Sequence, residues 1–379
     1  MPCGLWQTGR VGLWQTGRVT FGEDVTSSGS GIDGIQDGAG SCQMPIVFHP
    51  SLATTSTNFN TKKMGSILAR VSPPSFRPER DIPDLSGKII LVTGGNTGIG
   101  YETVKQLLLK NAKVYLAARS QEKAAAAIKR LEHETKKTAI FLQLDLADLP
   151  SVRRAAETFL AQEERLDILF NNGGVMICPP EQLTAQNHDL QFGTNVIGHF
   201  FLTELLLPAL TKSYEEIKVP ARIINTSSSG HAFAPGNGMD FVSLKGGPER
   251  DAWVQSKGSF RGPWALYGES KIGNIFVSNY FAKAHSDVLV SCALHPGGIK
   301  TDLQRHSAGW MQILSNALLY PAPMGALTQL WAATVATPAQ ITAQYLVPWG
   351  KVGKADKRTL NTKLEDEVIA YIREQIKGF

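Results

Sequence analysis

Lys88-Ile89-Ile90-Leu91-Val92 runs directly into Thr93-Gly94-Gly95-Asn96-Thr97-Gly98-Ile99-Gly100, after which Tyr101 to Leu109 takes up helical periodicity. The apolar, β-branched run predicts a buried strand, and the spaced glycines predict a tight turn into a helix. Glycine tolerates positive φ and lets a backbone approach a ligand with no Cβ in the way. The helix start that follows offers unpaired N–H groups and a positive dipole end to a phosphate. The block therefore reads as a dinucleotide cradle made by Gly94, Asn96, Thr97, Gly98, Ile99 and Gly100. A plain turn between any strand and helix could use the same glycines, so the pattern needs support from elsewhere.

Ala112 to Arg119 reads as the second strand. It ends in Ala118-Arg119, where a carboxylate would otherwise accept from a ribose 2′-hydroxyl. A guanidinium at Arg119 can pair bidentately with a 2′-phosphate, so NADP(H) is the expected coenzyme. The alternative is an exposed arginine leading into a helix capped by Ser120.

Far downstream, Tyr267-Gly268-Glu269-Ser270-Lys271 lies in a helical pattern from Pro263 to Ala284. Tyr267 and Lys271 stand at i and i+4 and share one face. A phenol with a pKa of about 10 is a poor base at neutral pH, and a nearby ammonium favours its ionised form. A surface Tyr–Lys pair with no such role would have the same spacing. Ala221 to Ser228 reads as a buried strand ending in hydroxyls, from which Ser228 could hold a carbonyl oxygen. Ser227 and Ser229 are rivals for that position.

Taken in order, these blocks resemble the short-chain dehydrogenase/reductase family from about Asp84 to Phe379, and its retinol-dehydrogenase-like branch most of all. The resemblance implies an α/β fold, a single doubly wound parallel-sheet Rossmann-type domain over residues 84–379. It implies a catalytic tetrad of Asn195, Ser228, Tyr267 and Lys271, with Asn195 holding a relay water against the lysine. Asp145 would lie against the adenine, and Asn172 belongs to Asn171-Asn172-Gly173-Gly174, where Gly173 replaces the family's alanine. Pro296, Ile299 and Thr301 would meet the nicotinamide carboxamide and diphosphate. Tyr267 and Lys271 would also touch the coenzyme. The implied reaction is hydride transfer between NADP(H) and a carbonyl or alcohol of a hydrophobic small molecule. Secondary-metabolite tailoring is among the family's uses. The rival function is an NADP(H)-sensing regulator without turnover; such relatives typically lose the tyrosine or lysine that this chain keeps.

The net charge of +5, from 38 Lys+Arg against 33 Asp+Glu, is too mild and dispersed to point to nucleic acid. No stretch reaches the roughly 18 apolar residues that span a bilayer. Four scattered cysteines without a CxxC pair fit a reducing compartment, so a cytoplasmic enzyme is expected. The histidines form no helical metal pair, and no metal is expected. Lys351 to Arg358 reads as a solvated loop.

Residues 1–80 read as a low-complexity, disordered extension. Its opening holds Gly4–Val11 repeated without change as Gly12–Val19. The working enzyme is expected to start near Met64. Between Ser228 and Tyr267, the residues Phe233, Met239, Phe241, Trp253, Phe260 and Trp264 suggest a loop over the cleft. Trp310, Met311, Ile313, Leu314, Ala317 and Leu318 recur at helical spacing and suggest an apolar lid; a membrane-surface or dimer-contact helix is the competing reading. Leu205-Leu206-Leu207 and the Ile272–Phe281 face either form a homodimer contact or cover the sheet.

Overall fold

The β-branched runs become strands and the runs with helical periodicity pack over them. The structure, a computed structural model, describes residues 74–300 and 319–379. In chain order its main elements begin with β1 (Ile89–Thr93), α1 (Gly98–Leu109), β2 (Lys113–Ala118), α2 (Gln121–Thr135) and β3 (Ile140–Gln143). Next come α3 (Leu149–Leu160), β4 (Ile168–Asn171), α4 (Gly198–Ile217), β5 (Ala221–Thr226) and α5 (Pro248–Ala284). The chain continues with β6 (Leu289–Leu294), α6 (Ala322–Thr334), β7 (Tyr345–Val347), β8 (Lys351–Val352) and α7 (Thr362–Ile376).

The strands form one sheet in the order β3-β2-β1-β4-β5-β6-β7-β8. Neighbours are parallel from β3 to β7, and β8 pairs antiparallel with β7. Winding reverses between β1 and β4, which opens a crevice at their C-terminal ends, the usual ligand position in such sheets. Both faces of the sheet are covered. Leu91 packs into a core with Phe200 and Phe276, while its neighbours Ile90 and Val92 pack into a second core with Val104 and Leu330. Alternate side chains of one strand thus feed opposite layers. Leu206, Ile272, Phe276 and Phe281 are fully buried in the first core, which accounts for their apolar character within one chain.

Two expectations need correction. The helix expected to start at Pro263 starts just after Gly258, and a further helical segment from Pro248, with Glu249 and Asp251 in its first turn, leads into it. Proline and acids suit a helix start, and Gly258, at φ 75°, absorbs a bend between its two halves. Trp253, Phe260 and Trp264 are therefore helical, not loop residues. The polar residues between them, which read as turns, are partly the outer face of α5. Likewise, Lys351–Arg358 is no solvated loop. It contributes strand β8, and the Arg358 guanidinium reaches the carbonyls of Ala234 (2.6 Å) and Ala232 (3.2 Å) while pairing with Asp356.

The N-terminal extension with its repeat and Met64, Thr301 with its expected coenzyme contact, and the apolar segment from Trp310 to Leu318 lie outside the described residues. Among the described residues, no helix is long and apolar enough to cross a membrane, and no group of His, Cys, Asp or Glu is placed to hold a metal.

Candidate active site

The glycine turn owes its shape to close approach. Gly94 has φ +66°, and a Cβ on it would lie 2.8 Å from the Cα of Gly173. A Cβ on Gly100 would collide with the carbonyl oxygen of Gly94. Thr93 joins this turn to the end of β4. Its Oγ1 accepts from the backbone N–H groups of Asn172 (3.0 Å) and Gly173 (2.8 Å), and Asn172 Nδ2 donates to the Thr93 carbonyl (2.8 Å).

Above these strand ends runs a cleft of about 900 Å³. Gly94, Asn96, Thr97, Gly98, Ile99 and Gly100 line its floor, and Arg119, Asp145 and Asn172 line the part next to it. Ser228, Tyr267, Lys271, Pro296 and Ile299 face the same cleft. Asn195 lies behind the wall, wholly buried.

Arg119 is exposed at the rim. Ser120 Oγ accepts from Lys123 N (3.3 Å) and so caps α2, placing Lys123 at the rim as well. Neither cation enters an ion pair among the described residues. Arg130 also lines the cleft, but its guanidinium is stacked 3.7 Å above the centre of the Tyr101 ring. Asp145 accepts from the Ala147 N–H (3.0 Å).

Tyr267 and Lys271 are both buried on α5. Lys271 Nζ donates to the Thr226 carbonyl (2.9 Å) and to Asn274 Oδ1 (3.2 Å), and lies 5.7 Å from the centre of the Tyr267 ring. The Ser228 hydroxyl neighbours the Tyr267 hydroxyl, close enough to favour its ionised form, and accepts from Gly230 N (3.0 Å). The three serines divide the work. Ser227 spends its hydroxyl on the Lys271 carbonyl (2.7 Å), Ser229 is exposed, and Ser228 meets the phenol.

The electrostatic tuning expected from the i, i+4 spacing meets an opposing effect. Burial pushes the Tyr267 phenol up to about 12, with only the neighbouring Ser228 hydroxyl pulling it down. Burial also pushes Lys271 down to about 7. Desolvation acts against the charged form of each group.

Asn195 occupies the π-helical turn Gly193–Ile197 just ahead of α4. Its side chain is fixed by Val175, whose N–H it accepts (2.9 Å) and whose carbonyl it meets (3.0 Å), and by Ser270 Oγ (3.0 Å). Its carbonyl oxygen accepts from Asn274 Nδ2 (2.7 Å) and His199 Nδ1 (3.0 Å). Two donors fill the two lone pairs of a carbonyl.

Of the six apolar residues expected over the cleft, only Phe233 and Trp264 line it. Their rings stand 5.0 Å apart edge to face, and Trp264 meets Tyr267 at 6.4 Å. Met239 and Trp253 are buried in the interior, and Phe260 is 67% exposed. Met176 and Leu190 complete the apolar wall.

Comparison with known proteins agrees with this geometry. Residues 88–241 match the family model for short chain dehydrogenases. A short-chain dehydrogenase/reductase of Armillaria gallica is 46% identical over 83% of this chain and 98% of its own length. The chain belongs to the short-chain dehydrogenase/reductase family. Human retinol dehydrogenase 11 is 36% identical over 66% of this chain and 73% of its own length. Among solved structures, the Pseudomonas aeruginosa RhlG/NADP active-site complex superposes with a TM-score of 0.54 at 26% identity, covering 70% of this chain and 96% of the other.

Several residues that support this dehydrogenase-type site escape a reading of the sequence. Lys123 has a faint signal, one helical turn beyond Arg119. Glu269 sits inside the Tyr-Gly-Glu-Ser-Lys block yet is wholly buried, accepting from Asp240 N and Ser243 Oγ (2.7 Å each). Burial holds its carboxyl well above the usual range. It clamps the segment after Phe233 to the catalytic stretch of α5. His231 Nδ1 donates to the Ser228 carbonyl (2.5 Å) and its Nε2 accepts from Asp356 N (3.0 Å), which ties Ser228 to the β8 region. Asn274 and His199 escape the sequence because each joins a near neighbour, Lys271 or the Asn195 carbonyl, to a group far away along the chain, the Asn195 carbonyl or Thr93.

Proposed function

We propose that this oxidoreductase interconverts a carbonyl and an alcohol on a hydrophobic small molecule with NADP(H). The observation that carries the reading is that Ser228, Tyr267 and a buried Lys271 face the same cleft as the glycine turn. The donor set fits a phosphorylated dinucleotide. Gly94 and Gly100 leave the backbone clear for a pyrophosphate, and Arg119 and Lys123 offer two cations to a 2′-phosphate. The NADP complex of the related Pseudomonas aeruginosa protein supports the same choice. Bound there, the coenzyme supplies or accepts a hydride.

The protein's own residues do the rest. Ser228 holds the substrate oxygen against Tyr267. The Tyr267 hydroxyl gives that oxygen a proton in reduction and takes one in oxidation. Lys271, anchored on Thr226 and Asn274, keeps one N–H for the ribose hydroxyls and adds positive charge beside the phenol. Phe233, Trp264, Met176 and Leu190 give the substrate an apolar wall and suit a hydrophobic carbonyl better than a sugar. Secondary-metabolite tailoring is one setting in which such carbonyls arise. The test is coenzyme consumption against a panel of ketones, aldehydes and quinones with NADPH and NADH. Turnover with NADPH preferred supports the reading; coenzyme binding without turnover on any carbonyl would favour a nucleotide sensor.

A further inference from the structure

The polar chain behind Lys271 ends in a residue type that few others could replace. Asn274 lies one turn beyond Lys271 on α5 and is 2% exposed. Its Oδ1 accepts from the Lys271 ammonium (3.2 Å), and its Nδ2 donates to the Asn195 carbonyl (2.7 Å). Turning the amide over would set an NH₂ against an ammonium and an oxygen against a carbonyl oxygen, so only one orientation works. Leucine supplies neither contact, and aspartate supplies only the acceptor.

The chain continues beyond Asn195. His199 Nδ1 donates to the same carbonyl, and its Nε2 meets Thr93 Oγ1 at 2.9 Å. Thr93 Oγ1 also accepts the N–H groups of Asn172 and Gly173, and its one hydrogen is shared between the histidine nitrogen and the Phe170 carbonyl (3.2 Å). The ammonium at the catalytic end is thereby connected, through fixed hydrogen bonds, to the strand end that bears the glycine cradle.

We propose that Asn274 is a positioning residue that bridges Lys271 to the Asn195 carbonyl, fixing the ammonium in place and setting its hold on a proton. This rests on the proposed reaction for its meaning, but its physical content concerns Lys271 alone. The amide oxygen accepts more strongly from the charged ammonium than from the neutral amine, so it opposes the desolvation that favours loss of the proton. It does so without adding a charge that would counter the lysine's effect on Tyr267. The titratable groups facing Lys271 are Tyr267 on its own helix and His199 on α4.

The experiment follows Lys271 directly, by the pH titration of its Cε resonance in 13C-lysine-labelled protein, assigned with K271R. N274L removes the acceptor and is expected to move the midpoint down by about one pH unit; N274D places a carboxylate there and is expected to move it up by at least as much. In the reductive direction the alkaline limb of kcat should follow the same two directions, whereas a purely structural defect would lower kcat evenly across pH. Should N274L fail to fold, the isosteric N274D still decides. Midpoints unchanged in the variants would overturn the proposal. Shifted midpoints in a protein that turns over no carbonyl would leave it standing and remove the proposed reaction instead.

Discussion

Arg250 Nη2 meets Asp189 Oδ2 at 2.8 Å with both side chains only 2% exposed. The other Asp189 oxygen accepts from the N–H groups of Gln191 and Phe192, starting the turn that leads to Asn195. Arg250 stands in the first helical segment of α5, before the break at Gly258, with Tyr267 and Lys271 in the segment after it. The ion pair therefore ties the turn of Asn195 to the segment that leads into the helix of Tyr267 and Lys271.

Breaking such a pair leaves an uncompensated buried charge, at a cost of about 3–5 kcal/mol. R250M is expected to lower unfolding stability by that order in denaturant titration. It should also reduce turnover, since both elements lose a shared anchor. Stability within about 0.5 kcal/mol of the parent, the range of ordinary surface changes, would show that the pair holds nothing.

Arg119 and Lys123 should govern coenzyme choice. A charge-assisted hydrogen bond contributes about 1.5–3 kcal/mol, so R119A is expected to weaken NADPH binding by roughly 10- to 100-fold while NADH binding changes little. K123A should act in the same direction, more weakly, because an ammonium lacks the bidentate fork. Equal losses for both coenzymes would place these cations elsewhere than at a 2′-phosphate.

Acid should destabilise the fold through its buried imidazoles. Burial holds His199 down to about 4, and His188 and His295 to about 4 likewise. An unfolded histidine titrates at about 6.5, so between these values the unfolded chain binds protons that the folded chain refuses. Stability is then complete above about pH 6.5 and declines as pH falls toward 4, by about 3 kcal/mol for His199 alone. Denaturant unfolding across that range measures the decline, and an NMR midpoint for His199 in the ordinary imidazole range would contradict it.

The contiguous blocks were legible in the sequence because their function is local. A strand, three glycines and a helix make a cradle by backbone geometry alone, and Tyr267 and Lys271 share a face through helix periodicity. The start of α5 was misread because the polar residues that suggested turns are partly the outer face of an amphipathic helix, and because Gly258 interrupts the pattern. Lys351–Arg358 looked like a solvated loop because its partners, the carbonyls of Ala232 and Ala234, lie more than a hundred positions earlier. The distant contacts of Asn274, His199 and Arg250 were invisible for the same reason. Their chemistry depends on a packed neighbour, not on spacing along the chain.

The proton-donating role of Tyr267 is tested most directly by comparing wild type with Y267F for NADPH consumption on a reactive carbonyl and for coenzyme affinity. General acid catalysis is worth about 10²- to 10⁴-fold, so kcat should fall by at least that much with the NADPH dissociation constant nearly unchanged. A Y267F protein that retains wild-type turnover would contradict the account.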